Sequence, residues 1–149
     1  MGDVTMQIGV ETSRAVENKR IFVVDDDEIT RAVLQFMLHD ENETHEVESF
    51  ERALEKTPDG KPDLLIVSGA MAVARGVSIV AELKEKIPGV KILVVVESTS
   101  DENGKQCLKA GANSLLSKPL KVETVRERVD VLLGRRAGFA LPLTVLKTS

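Results

Sequence analysis

Apolar residues along this chain fall into two patterns: unbroken runs of strand length, and positions spaced three or four apart. The runs Ile21-Phe22-Val23-Val24, Leu64-Leu65-Ile66-Val67 and Ile92-Leu93-Val94-Val95-Val96 are apolar on successive residues. Both faces of each strand are therefore predicted to be buried, as at the centre of a parallel sheet. Residues 44–48 and 113–116 are weaker candidates, the first because only Val47 is strongly apolar. Helical spacing fills the intervals. Ile29, Val33, Phe36 and Met37 predict an amphipathic helix over 28–40, and Ala53 and Leu54 mark a short one capped by Ser49 and closed by Pro58-Asp59-Gly60. Ile79, Val80 and Leu83 line a helix over 77–87 that Pro88-Gly89 stops; Val125, Val129 and Leu132 line another over 122–133. Between them, Ser100 is placed to cap a helix over 101–110 that Gly111 ends. Gly104 inside that helix weakens it by up to about 1 kcal/mol relative to Ala, so it is expected to be short or mobile. Residues 69–76 are small and read as a loop. The order is β-α repeated five times, which calls for an α/β domain: one parallel sheet, helices on both faces, right-handed crossovers.

Two alternating segments flank this repeat. Val4, Met6, Ile8 and Val10 alternate with Thr5, Gln7 and Gly9, a strand periodicity compatible with an extra edge strand, a strand exchanged with a second chain, or a linker. Leu141, Leu143 and Val145 alternate around Pro142, and could pair with the first segment or begin a second domain. The expected organisation is an N-terminal extension over 1–19, a domain over 20–134, and a C-terminal extension or linker over 135–149.

Composition narrows the function. With 149 residues, 42% hydrophobic and 30% charged, the chain is sized for one domain with a true core. A net charge of -4 and a pI near 5.3 argue against a nucleic-acid surface despite the pair Arg135-Arg136, so DNA binding would need another domain. One cysteine, Cys107, excludes an internal disulfide or a thiol metal cluster, and a cytoplasmic location is the default. No apolar run has membrane-spanning length, the N-terminus lacks a signal-peptide core, and Met6 stands where a myristoylation motif at Gly2 wants Ser or Thr. Cys107 reads as a small packing residue; His39 and His45 lack metal-ligand spacing and read as surface residues.

The chemistry is concentrated where the first strand ends, in Asp25-Asp26-Asp27-Glu28. Ligands of open α/β sheets bind outside the carboxyl ends of the strands, so the cluster points to a divalent cation or phosphate chemistry. The alternative is that Asp27 merely caps the next helix.

Taken in order, five features make residues 20–134 resemble the receiver domain of two-component response regulators. They are Val24-Asp25-Asp26, Pro62-Asp63 opening the third strand, Gly76 after it, Ala110-Gly111-Ala112 before the fifth, and Lys118-Pro119 after the fifth. The resemblance implies a flavodoxin-like (βα)5 fold with a central five-stranded parallel sheet. It implies transfer of a phosphoryl group from a kinase histidine to an aspartate ending the third strand. In that scheme Asp25 and Asp26 hold Mg²⁺ and Lys118 contacts the phosphoryl oxygens, while a Ser or Thr after the fourth strand follows the phosphate.

Three positions depart from the pattern. Six residues after Pro62 stands Ser68, where the resemblance places the phosphoacceptor aspartate. Fifteen before Gly111 stands Val96 in place of Ser or Thr, and Ser98 substitutes only if the loop shifts by two. Three before Lys118, Leu115 replaces an aromatic that swings on activation. A serine hydroxyl is not an ionised nucleophile near neutral pH and offers a cation only a neutral oxygen. The expectation is therefore a pseudo-receiver in a phosphorelay pathway, with no required cofactor, at most weak Mg²⁺ binding, and Lys118 pairing with Asp25 or Asp26. Glu97 could restore a third carboxylate or pair with Lys118 itself; the alternative is that it is simply exposed. The face formed by the helix over 101–110, the last strand and the last helix would be held in one state. It would bind signalling proteins: a kinase, an output domain or another regulator. Phosphorylation of Asp26 or another acid, and modification of Ser68 by a different kinase, remain open. So do two other classes: a dimerisation or docking domain joined through segments 4–10 and 141–145, and a Mg²⁺-dependent phosphoryl-transfer enzyme with Ser68 as its nucleophile.

Overall fold

The computed structural model describes residues 18–135. Its five strands are β1 (Lys19–Val24), β2 (Asn42–Val47), β3 (Leu64–Ser68), β4 (Lys91–Val96) and β5 (Ser114–Ser117), all parallel in the order β2-β1-β3-β4-β5. The helices are α1 (Glu28–Leu38), α2 (Phe50–Lys56), α3 (Gly69–Arg75), α4 (Ser78–Lys86), α5 (Glu102–Lys109) and α6 (Val122–Leu132).

The unbroken apolar runs are explained by burial on both sides. Phe22, Leu65 and Ile92 lie in one register line and point to the face covered by α2, α3, α4 and α5. Their neighbours Ile21, Leu64 and Leu93 point to the opposite face, where Leu34 and Leu38 of α1 and Val125 and Val129 of α6 cover them. β1, β3 and β4 thus each feed two cores.

One expectation is overturned: residues 69–76 are not a loop. Gly69–Arg75 form α3, a sixth helix. The cause is local, since Ala70, Ala72, Ala74 and Met71 are strong helix formers. The hydroxyl of Ser68 accepts from the Met71 N–H at 3.1 Å as the N-cap, and Gly76 ends the helix at φ 113°. Smaller corrections follow the same logic of capping. Asp101, not Ser100, caps α5 by accepting from Asn103 N–H at 2.9 Å. His45 lies on the edge strand with its side chain 30% exposed, its ring edge-on to Phe22 at 5.6 Å and its Nε2 2.9 Å from Glu43. His39 is exposed beside Phe36, and Cys107 is buried in the core, where burial pushes its thiol up. The alternating segments 4–10 and 141–145 lie outside the described residues, in which no helix is long and apolar enough to cross a membrane.

Candidate functional site

The connections from β1 and β3 leave the sheet in opposite directions, toward β2 and β4 respectively, so a crevice opens at their carboxyl ends. A cleft of about 20 Å³ lies there, lined by Asp25, Ser68, Ala70, Val95, Val96, Glu97, Asp101 and Lys118. That is room for about one water-sized group.

The three aspartates after β1 have three different roles. Asp25 is 6% exposed and lines the cleft; its Oδ1 accepts the Asp27 N–H at 2.9 Å, and its carbonyl accepts from Arg31 at 2.7 Å. Asp26 is exposed and does not line the cleft, while its N–H reaches the Met71 sulfur at 3.2 Å. Asp27 caps α1, accepting from Ile29 N–H at 3.2 Å and from the Thr30 hydroxyl at 2.7 Å. The capping role foreseen as the alternative for Asp27 is the one observed.

Electrostatics separate the first and third further. Burial raises the Asp25 carboxyl above its ordinary value, opposed by the Asp27 N–H bond and reinforced by the charges of Asp26 and Asp27. The Thr30 hydroxyl bond holds Asp27 below its ordinary value. A carboxyl raised in the folded state lowers stability once it ionises. The penalty is absent below the unfolded-state value and complete above the folded-state value. Asp25→Asn, whose amide oxygen still accepts the Asp27 N–H, is therefore expected to raise Tm at pH 7, with the gain fading as pH falls through the carboxylate range. A gain that persists undiminished in acid would assign it to another cause.

Ser68 ends β3 at the cleft, and its hydroxyl is already engaged with Met71 N–H. Lys118 follows β5, anchored by its N–H to the Val96 carbonyl at 2.9 Å, with a cis bond to Pro119. Its ammonium pairs with Glu97 Oε2 at 3.2 Å rather than with Asp25 or Asp26. Glu97 is thus the partner of Lys118 while also being exposed, so the pairing and the exposure foreseen for it are both observed. The Glu97 side chain is 75% exposed, so this pair contributes only about 0–1 kcal/mol.

The donor set fits poorly the Mg²⁺ that the resemblance implies. Mg²⁺ demands near-octahedral oxygen ligands. Here one of the two expected carboxylates, Asp26, is exposed and does not line the cleft, Ser68 brings a neutral oxygen that already accepts the Met71 N–H, and Glu97 is 75% exposed beside Lys118. Among the described residues no three His, Cys, Asp or Glu side chains are grouped to hold a metal.

Away from the cleft, Val96 is 2% exposed in β4, and Leu115 is half-buried in β5 opposite Val94. Both lie against Gly104 of α5. A Cβ built there would meet Leu115 Cδ1 at 2.9 Å and Val96 Cγ1 at 3.1 Å. The glycine that weakens α5 as a helix thus lets it sit close on these two side chains. Sequence reasoning missed two positioning residues. Asp101 accepts from Glu97 N–H at 3.1 Å while capping α5, and Met71 reaches across from α3 to the β1 loop. An acid after a Ser-rich stretch was the available signal for Asp101; Met71 had none.

Comparison with known proteins agrees with this architecture. The chain is 29% identical over 116 residues to the chemotaxis protein CheY of Halobacterium salinarum, covering 77% of this chain and 97% of the relative. It is 29% identical to the alkaline phosphatase synthesis transcriptional regulatory protein PhoP of Bacillus subtilis, covering 87% of this chain and 54% of the relative. It therefore spans about half the length of that regulator. A response regulator from Thermotoga maritima superimposes with a TM-score of 0.71 at 21% identity, over 78% of this chain and 98% of the other. Residues 21–130 match the response regulator receiver domain, and the chain belongs to that family.

Proposed function

We propose that this receiver domain signals through protein contacts without taking up a phosphoryl group. The observation that carries the reading is Ser68: at the phosphoacceptor position stands a hydroxyl that caps α3 through Met71 N–H. A nucleophile there must displace a phosphoryl group by an attacking oxygen lone pair. A serine does so only with a base beside it, and its one hydrogen-bond partner is a backbone N–H. The poor fit of the cleft to Mg²⁺ removes the charge neutralisation on which phosphoryl transfer depends. The same two facts weigh against a Mg²⁺-dependent enzyme.

The surface that carries the signal is the one formed by α5, β5 and α6. Val96 has no hydroxyl to follow a phosphate, and Leu115 has no ring to swing. Both lie against Gly104 of α5, and neither offers a group that a phosphoryl oxygen would move, so the face is expected to be insensitive to a phosphodonor. A kinase, an output domain or another regulator of a cytoplasmic two-component pathway is the class of partner it would engage, and no cofactor is required. The test is to add Mg²⁺ and acetyl phosphate, then read intact mass and amide NMR shifts. The expected result is an unchanged mass and no shift at Leu115 or along α6. A covalent phosphoryl adduct, or shifts spreading from Asp25 to α6, would overturn the reading.

A further inference from the structure

Val96 also lines a second, larger cavity, of about 300 Å³, together with Thr99, Ser114, Leu115, Ser117 and Arg128. It lies among the loop after β4, β5 and α6. At about 30 Å³ per water-sized group, it has room for about ten non-hydrogen atoms. Its walls divide by chemistry. Val96 and Leu115 are aliphatic, Thr99, Ser114 and Ser117 carry hydroxyls, and Arg128 carries the charge.

Arg128 stands apart from the other described arginines. Arg20, Arg31, Arg52, Arg75, Arg126 and Arg135 each pair with a carboxylate. Among the described residues Arg128 pairs with none, and its guanidinium donates to the Leu115 carbonyl. A guanidinium has five N–H donors in a planar fork, so this bond leaves most of them available. The bond to Leu115 also fixes the group beside the cavity. A fork beside an aliphatic wall is the arrangement that recognises a carboxylate with an apolar body.

We propose that this cavity binds a small organic carboxylate, its apolar body against Val96 and Leu115 and its carboxylate on Arg128. Thr99, Ser114 and Ser117 supply neutral polar atoms along the wall. An aliphatic side chain at 115 leaves space that an aromatic ring would fill. Because Val96 and Leu115 are the side chains on which Gly104 rests, an occupant would be felt by α5, giving the domain an input that needs no phosphoryl group. The inference does not rest on the phosphorylation-independent reading: it concerns a separate cavity and its test contains no phosphodonor.

The test is an amide NMR titration of the full chain with phenylacetate and, separately, with its neutral counterpart phenylacetamide. The expected result is saturable shifts at Thr99, Leu115 and Ser117, with a Kd in the millimolar range for a probe of this size. Phenylacetamide should bind about fivefold more weakly. Arg128→Gln, at an exposed position, should erase the difference between the probes, and Leu115→Phe should abolish both sets of shifts. Absence of saturable shifts, equal binding of the two probes by the wild type, or undiminished binding by Leu115→Phe would each overturn the assignment.

Discussion

Ser68→Asp should bind Mg²⁺ at least about tenfold more tightly than the wild type, and should accept a phosphoryl group from acetyl phosphate where the wild type does not. Aspartate is as good an N-cap as serine, so α3 should persist with the new side chain at its head. One carboxylate oxygen can then take the Met71 N–H while the other faces the cleft beside Asp25. Two carboxylates so close repel, and a divalent cation relieves that repulsion; tenfold tighter binding needs only about 1.4 kcal/mol of relief. Lys118 is not an obstacle, because its pair with the exposed Glu97 is weak enough to be exchanged for a phosphoryl oxygen.

The second half of this expectation is that the phosphorylated variant does not switch. Val96 and Leu115 remain, and the face of α5, β5 and α6 should give the same amide spectrum with and without the phosphodonor. Chemistry and signalling would then have been separated by one substitution. If instead shifts reach Leu115 and α6 in phosphorylated Ser68→Asp, the face is not locked. If the wild type takes up phosphate as readily as the variant, Ser68 was never the limiting position.

How much of this was legible before any coordinates depends on the scale of the interaction. The strands β1, β3 and β4 were readable because a strand covered on both faces has to be apolar at every residue, and few other structures impose that. The edge strand β2 was faint: Val47 is its one strongly apolar residue, and its place is set by pairing with β1. The helix α3 was misread although its parts were present, with Ser68 as cap, three alanines and Gly76 as terminator. Its first six residues, Gly69 to Ala74, are all small or apolar and show no alternation with polar ones, so propensity and capping were the sole signals. The meeting of Asp25, Ser68, Val96 and Lys118 followed from spacing and the family resemblance. The division of labour among the acids did not. Asp25, Asp26 and Asp27 are chemically identical in sequence, and only the path of the backbone decides which is buried, which is exposed and which caps. The choice of Glu97 over Asp25 by Lys118 is likewise a matter of side-chain reach.

Gly104→Ala should destabilise the domain by about 1–2 kcal/mol, against the sign that helix propensity alone would give. Alanine in a helix is better than glycine by up to about 1 kcal/mol. The new Cβ, however, would stand 2.9 Å from Leu115 Cδ1, closer than carbon atoms tolerate, and a tight 3.1 Å from Val96 Cγ1. Overpacking of this kind costs about 1–3 kcal/mol, and which neighbour gives decides the total. Val96 is β-branched and buried in a strand paired on both sides, so it cannot turn away. Leu115 can, because it lines the 300 Å³ cavity, and displacement into that space would shrink the volume open to phenylacetate. Removing the clashing side chain isolates the effect. In a Leu115→Ala background Gly104→Ala should be less destabilising, by about 1 kcal/mol, than in the wild type, a coupling that denaturant unfolding of the four proteins would measure. A Gly104→Ala variant more stable than the wild type, with no coupling to Leu115, would mean that α5 does not rest on Val96 and Leu115, and the face of α5, β5 and α6 would not be joined through Gly104.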